Sequence, residues 1–158
     1  MFEFRVTKYD PTCRDICGAY TRDEWTSVRD IGRSFAGVSL TKSEYQRVED
    51  AYVTTAIAIM QEAGIESLMV TGLENHFATL LPFVERSVLK LPDAGMVIRQ
   101  VLREEFWCRL EAEIGFVHIG YDYYMYVGSN KRCLNAESLA KRLGLFIEPF
   151  QSPYTKQS

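Results

Sequence analysis

The sequence has few of the residues and none of the motifs that carry most catalytic and cofactor chemistry. Its 158 residues include only two histidines, His76 and His118. It contains no glycine-rich phosphate loop, no Gly-x-Ser-x-Gly segment and no His-Glu-x-x-His pair. These absences exclude the common signatures of nucleotide-binding proteins, serine hydrolases and zinc proteases, and we predict neither a cofactor nor a metal.

The four cysteines form no metal-binding or disulfide pattern. Cys13 and Cys17 are separated by three residues, whereas Cys108 and Cys133 lie far along the chain. A structural zinc site needs a second close pair of ligands, which Cys108 and Cys133 do not form, and disulfide frameworks accompany a secretory signal. We therefore predict reduced thiols, with Cys108 in the core.

Long apolar runs and an excess of basic charge are also missing. No segment approaches the roughly 20 apolar residues of a membrane helix, and the N-terminal residues lack a signal-peptide pattern, so we expect a cytoplasmic protein with no membrane partner. The net charge is −3, made up of −4 in residues 1–79 and +1 in residues 80–158. Nucleic acid is disfavoured as a partner, because its phosphates require basic excess.

The clearest helix pattern begins at Thr41. Thr41 and Glu44 fit a capping box, an apolar stripe follows at helical spacing, and Gly64 stands where a C-terminal cap belongs, which predicts a helix over 42–63. A second helix is predicted to begin at Pro92. A short third helix is predicted over 135–143, with Asn135 as its cap.

Strand patterns alternate with these helices at 2–9, 65–71, 106–113, 116–127 and 145–148. Segments 12–40 and 73–92 show weak patterns, apart from a short helical turn predicted within 23–32 with Thr26 or Ser27 as its cap. The predicted fold class is α+β: an antiparallel sheet with a long aromatic hairpin, packed by two main helices and one short C-terminal helix. We predict one domain over 1–154 and a frayed tail over 155–158.

The aromatic hairpin allows a prediction of its register. A two-residue turn at Ile114 and Gly115 would pair Glu113 with Phe116. Both apolar sets then share a face, and the predicted core side of the second strand comprises Val117, Ile119, Tyr121, Tyr123 and Met125. Asp122 offers an alternative, a second turn that divides the hairpin into three shorter strands.

The opposite side of the hairpin is the candidate binding surface. This second face consists of Trp107, Arg109, Glu111, His118, Asp122, Tyr124 and Tyr126. Tyr, Trp and Arg carry much of the binding energy of protein interfaces, so an exposed second face suits recognition of a protein partner or a homodimer contact. If a second layer of the fold covers this face, the ribbon is simply central.

His118 and Glu111 are the candidates for chemistry. The predicted register places them opposite each other on the second face, where a carboxylate could orient an imidazole that acts as a general base. The alternative interpretation is an exposed cross-strand pair without a catalytic role. A concave pocket at His118 would favour the enzyme, and a flat, open surface there would exclude it.

Four segments together resemble a family of small, functionally uncharacterised bacterial cytoplasmic proteins. They are residues 18–28 (GAYTRDEWTSV), 104–111 (EEFWCRLE), 116–127 (FVHIGYDYYMYV) and 145–154 (LFIEPFQSPY). Some small acidic α+β proteins of this kind are immunity proteins, which bind and block a toxin delivered by a neighbouring cell. The resemblance spans nearly the whole chain and implies no particular site residues.

Two functions are consistent with these observations. The first is a non-catalytic protein-binding module, an immunity protein that neutralises a bacterial toxin, because acidic surfaces steer basic partners such as a basic toxin domain. The second is a small enzyme or nucleotide-binding domain that uses His118 with Glu111. The lack of catalytic motifs favours the first.

Overall fold

A computed structural model describes residues 1–155, which form an α+β fold of nine strands and three helices. The strands are β1 (Phe2–Thr7), β2 (Ser34–Phe35), β3 (Val38–Ser39), β4 (Ser67–Glu74), β5 (Val88–Lys90), β6 (Trp107–Ala112), β7 (Gly115–Ile119), β8 (Met125–Ser129) and β9 (Phe146–Pro149). The helices are α1 (Lys42–Ala63), α2 (Leu91–Leu102) and α3 (Leu134–Arg142). Of the predicted frayed tail over 155–158, residues 156–158 lie outside the described part of the chain.

Seven of these strands form one sheet in the order β5-β4-β6-β7-β8-β1-β9, and each neighbouring pair is antiparallel. The predicted antiparallel sheet with two main helices and a short third helix is confirmed. The helices pack on one side of the sheet, where α1 contacts β7 and β8, α2 contacts β4 to β7, and α3 contacts β9. Alternate strand residues such as Val6, Val117 and Val127 are buried in this core.

The predicted N-cap Thr41 and C-cap Gly64 of α1 are confirmed, but the predicted capping box is incomplete because the Glu44 carboxylate binds Arg47. The Thr41 side chain accepts a hydrogen bond from the Glu44 N–H at 3.0 Å, and Gly64 ends the helix in the left-handed conformation with φ of 80°. Helix α2 has a proline in its first turn, as predicted. The predicted Asn135 cap of α3 is wrong, because that helix begins one residue earlier and Asn135 contacts the Glu62 carboxylate instead.

A buried carboxylate ties α1 to α2. Glu49 is fully buried and accepts hydrogen bonds from Arg99 and Arg103. Burial alone would raise the pKa of Glu49, but the hydrogen bonds from Arg103 and Arg99 outweigh it and lower that pKa. The carboxylate is therefore ionised and holds the two helices together at neutral pH.

The predicted hairpin register is wrong by two residues. Ala112 pairs with Gly115 and Arg109 pairs with His118, so the turn residues are Glu113 and Ile114. Gly115 belongs to β7 because there is no space for a side chain: a Cβ would lie 2.7 Å from the Gly128 carbonyl oxygen and 2.5 Å from Ile65 Cδ1. A shift of two residues preserves the faces, so Cys108 and Leu110 remain on the core side.

The hairpin does not continue to residue 127. As the alternative prediction stated, it turns at Asp122, and β7 and β8 are separate strands. The predicted core position of Tyr121 is therefore wrong, since its side chain is 87% exposed, whereas Val117, Ile119, Tyr123 and Met125 are buried as predicted. Strand alternation fails at Tyr121 because the chain has already left the sheet.

The weakly patterned segments form loops and short elements. A 3-10 turn over Val28–Asp30 is capped by Ser27, which confirms one of the two predicted caps. All four cysteines are free thiols, and Cys108 is buried in the core as predicted. Across residues 1–155, no helix combines the length and the apolar composition needed to cross a membrane.

We predict that Gly115→Ala lowers the free energy of unfolding by about 2 kcal/mol, because the added methyl group meets a backbone atom that cannot rotate away. Gly95→Ala is the matched control. In α2 an added Cβ meets Val53 at an ordinary 3.4 Å, and alanine is a better helix former by up to about 1 kcal/mol. Urea unfolding would contradict the observed register if Gly115→Ala were as stable as Gly95→Ala.

Candidate functional site

The structure places most of the predicted site residues side by side, but it covers them. Trp107, Arg109, Glu111, His118 and Tyr126 lie on the sheet face opposite the helices, as the second face requires. His118 has no exposed surface, and Tyr126 is only 9% exposed. Asp122 is exposed and lies beyond the end of the sheet, and Tyr124 is half-buried.

Residues 150–155, here called the strap, cover the middle of the second face. The Ser152 Oγ lies 2.9 Å from His118 Nδ1, and Arg109 donates a hydrogen bond to the Tyr154 carbonyl oxygen at 3.1 Å. The Tyr154 ring lies beside Trp107, with ring centroids 5.4 Å apart. The covering layer is thus built from residues that the sequence places far from the hairpin.

A second loop, which contains Arg14, packs against Tyr124 of this face. Arg14 donates a hydrogen bond to the Tyr124 hydroxyl at 2.9 Å, and the Tyr9 and Tyr124 rings stack with centroids 5.3 Å apart. The predicted exposed aromatic surface is therefore an internal layer between the sheet and these two segments. The aromatic rings of this surface therefore already stack on other side chains of the same protein.

His118 is a neutral group in this environment. Burial lowers its pKa to about 4; Arg109 acts in the same direction, and the Glu111 carboxylate opposes them. The predicted exposed position of His118 opposite Glu111 is wrong: its cross-strand partner is Arg109, and the Glu111 Oε1 is 3.4 Å from Nε2 along a diagonal. An imidazole with this pKa is a weak base at neutral pH.

Ser152, His118 and Glu111 form a line of hydroxyl, imidazole and carboxylate, the groups that activate a nucleophile in many hydrolases. The Ser152 hydroxyl is directed into the protein and is only 3% exposed, so a substrate carbonyl group has no approach to it. The same hydroxyl also accepts a hydrogen bond from the Tyr154 N–H. The line fastens the strap to the sheet, and we assign it no catalytic role.

The turn between β7 and β8 holds two consecutive residues in the left-handed region. Asp122 has φ of 55° and Tyr123 has φ of 64°, a conformation that is costly for residues other than glycine. The Tyr9 hydroxyl donates a hydrogen bond to the Asp122 carbonyl oxygen at 2.7 Å, and the Tyr52 hydroxyl donates one to the Tyr123 carbonyl oxygen at 2.9 Å. Two buried tyrosines thus hold the turn in place.

A cleft of about 380 Å³ lies next to this turn, within the volume range of ligand sites. Its aromatic lining comprises Phe77, Phe106, Trp107, Tyr121, Tyr123 and Tyr154. Its polar lining comprises Thr26, Ser27, Glu74, His76, Glu104 and Asp122, and the remainder is apolar or glycine. The cleft therefore combines aromatic walls with three carboxylates.

The side chains at the mouth of this cleft were mostly missed by the sequence analysis. Phe77 is 70% exposed in the loop after β4, and Tyr121 is still more exposed in the turn after β7. Only Trp107 and Asp122 among the predicted site residues line the cleft. The sequence did contain one signal for a turn here, Gly120 followed by Tyr121 and Asp122. A turn at these residues takes the Tyr121 side chain out of the sheet.

Metal ligation has no support in the described part of the chain. Among residues 1–155, no group of three His, Cys, Asp or Glu side chains is placed to hold a metal ion. The cleft carboxylates come from separate loops, and Glu104 is occupied by Arg29, whose Nε lies 2.9 Å from it. The chemistry that the cleft offers is therefore charge and aromatic contact.

We predict that His118 gains a proton only near pH 4, because protonation would place an uncompensated charge in a buried site. Since its ordinary pKa of 6.5 applies when the chain unfolds, the free energy of unfolding should fall as pH drops from 6.5 towards 4. The NMR shift of the His118 Hε1 proton in a His76→Gln variant measures this. A midpoint near pH 6.5 would mean that the strap does not cover His118.

Comparison with known proteins gives no relative from which a function could be inferred. No protein-family model, no curated protein and no solved structure gives a significant match to the chain. The resemblance to small bacterial cytoplasmic proteins stays a prediction. The cleft and the covered second face are therefore the features that bear on function.

Proposed function

We propose that this chain is a non-catalytic protein-binding module, an immunity protein that binds and neutralises a bacterial toxin domain in the cytoplasm. The observation that carries the proposal is the cleft beside the Asp122 turn, with its exposed aromatic side chains and its carboxylates. Trp107 and Asp122 of the second face line this cleft, whereas His118 and Tyr126 of that face are buried beneath the strap.

The apolar part of the cleft suits contact with another protein. Phe77 and Tyr121 present large aromatic surfaces to solvent on opposite loops of one concave site. Aromatic side chains at the centre of an interface supply much of its binding energy, and rings around a cleft provide a pocket for a partner's side chain. Leu80, in the same loop after β4 as Phe77, is also exposed.

The charge of the cleft favours a basic partner. Glu74, Glu104 and Asp122 contribute carboxylates, and none of the sixteen residues that line the cleft is Lys or Arg. A concave acidic site raises the association rate of a basic protein and repels phosphate groups. This combination supports a basic toxin domain as the partner and disfavours nucleic acid.

We predict that a double variant, Tyr121→Ala with Asp122→Asn, weakens partner binding by about tenfold or more, because it removes one aromatic contact and one steering charge. Asparagine tolerates the left-handed conformation of residue 122, so the turn should survive. The matched control is Leu134→Ala with Glu113→Gln, which changes an exposed apolar and an exposed acidic side chain outside the cleft lining. Partner capture from the native host, followed by titration of the purified complex, measures the difference.

The captured protein must also form a one-to-one complex, and co-expression of this chain must relieve its toxicity. Equal partner affinity of the double variant and its control would mean that the partner does not bind at the cleft. A partner that is harmless to the host, or the absence of any partner that distinguishes the two variants, would contradict the immunity role. Glu111→Lys is a poor test, because Glu111 accepts a hydrogen bond from Thr71 at 2.8 Å within the fold.

A further inference from the structure

The cleft has the dimensions and walls to hold a single long side chain. Its volume of about 380 Å³ is at the small end of the range for ligand sites. Trp107 is fixed in its wall, because the indole N–H donates a hydrogen bond to the Ile119 carbonyl oxygen at 2.7 Å. Tyr121 and Phe77 stand at the mouth as exposed rings that a ligand can contact on entry.

Two of the carboxylates in the cleft remain available to a ligand. Glu104 is paired with Arg29 and accepts a hydrogen bond from the Ser27 hydroxyl. The Asp122 carboxylate, in contrast, makes no hydrogen bond or ion pair within residues 1–155, and Glu74 contacts only the exposed His76 ring, at 3.4 Å. A cationic group in the cleft would meet these two carboxylates without displacing an internal ion pair.

The position of Asp122 is fixed before any ligand arrives. Its carbonyl oxygen is held by the Tyr9 hydroxyl, and the next carbonyl oxygen is held by Tyr52. Because this backbone is held, only the side-chain torsions of Asp122 lose freedom when its carboxylate binds a ligand. The turn thus places the Asp122 carboxylate in a cleft with aromatic walls.

We infer that the cleft binds the guanidinium group of an arginine side chain from the protein partner, an inference that rests on the proposed function. A planar guanidinium group stacks on aromatic rings and donates paired hydrogen bonds to carboxylates, and both kinds of group line this cleft. A lysine ammonium lacks the planar surface for stacking. A phosphate or carboxylate ligand would be repelled by Glu74 and Asp122.

The test uses the full chain and a short capped peptide, acetyl-Gly-Arg-Gly-amide. The two indole N–H signals in a ¹⁵N NMR spectrum come from Trp107 in the cleft wall and the buried Trp25 outside the lining. The peptide should shift the Trp107 signal much more than the Trp25 signal, with a Kd of about 1 mM for a single side chain. The same peptide with citrulline in place of arginine keeps the shape and removes the charge, and it should bind about tenfold more weakly or not at all.

Two conservative variants locate the charge contacts. Asp122→Asn and Glu74→Gln should each weaken binding of the arginine peptide by about three- to tenfold, and an exposed residue at the opposite end of the hairpin, changed by Glu113→Gln, should leave it unaltered. Equal binding of the citrulline and arginine peptides, or arginine binding that is unchanged in both cleft variants, would overturn the inference. So would a failure of the arginine peptide to shift the Trp107 signal at tens of millimolar.

These outcomes separate this inference from the proposed function. If the arginine peptide fails while a captured protein still depends on Tyr121 and Asp122, the arginine contact is wrong and the binding module stands. If the peptide binds as expected but no protein partner is found, the ligand chemistry stands and the toxin-binding role does not.

Discussion

The turn at Asp122 and Tyr123 is the constraint on which the arrangement of this molecule depends. Two successive left-handed residues, neither of them glycine, cost on the order of 1–3 kcal/mol each. Hydrogen bonds from the Tyr9 and Tyr52 hydroxyls to the two carbonyl oxygens offset that cost. The Tyr123 ring is then directed into an aromatic cluster with Trp25 and Tyr52, at centroid distances of 5.0 and 4.9 Å.

Both surfaces of functional interest follow from this turn. By ending β7 at Ile119 it sends Tyr121 and Asp122 out beside the loop that carries Phe77, which creates the cleft. By starting β8 at Met125 it returns Tyr126 to the sheet, where the strap covers it together with His118. The proposed binding site therefore lies at the end of the sheet, whereas most of the second face is packed beneath the strap.

Local patterns predicted the elements well. Helix α1 carries its cap, stripe and terminal glycine within one stretch of sequence, and the core side of β6 follows from simple alternation. The candidate site was predicted less well, because the exposure of its residues depends on which other segments of the chain cover that face of the sheet. Ser152 lies 34 residues beyond His118, and the sequence has no periodic signal that would bring the two together. Burial of His118 is a tertiary outcome set by the strap, whereas the exposure of Tyr121 follows from the turn that Gly120 and Asp122 indicate.

The register error has a similar origin. An Ile114–Gly115 turn is reasonable chemistry for a hairpin, but Gly115 is required inside β7 by the approach of Gly128 on β8. That contact belongs to a third strand, so a two-strand argument misses it. The two faces of the hairpin were still predicted correctly, because the register error was an even number of residues. The candidate residues therefore lie on the second face as predicted, but the register gave no indication that other segments cover them.

The central claim is that partners bind at the cleft and that the strap stays on the second face. Hydrogen exchange of the chain, free and in complex with its captured partner, tests this most directly. Binding at the cleft predicts added protection in the loops that carry Phe77 and Tyr121, with no change at Gln151 and Ser152 of the strap or at Arg109, Glu111 and His118, which do not line the cleft. Loss of protection at Gln151 and Ser152, with new protection at Arg109 and Glu111, would mean that the partner displaces the strap and binds the second face.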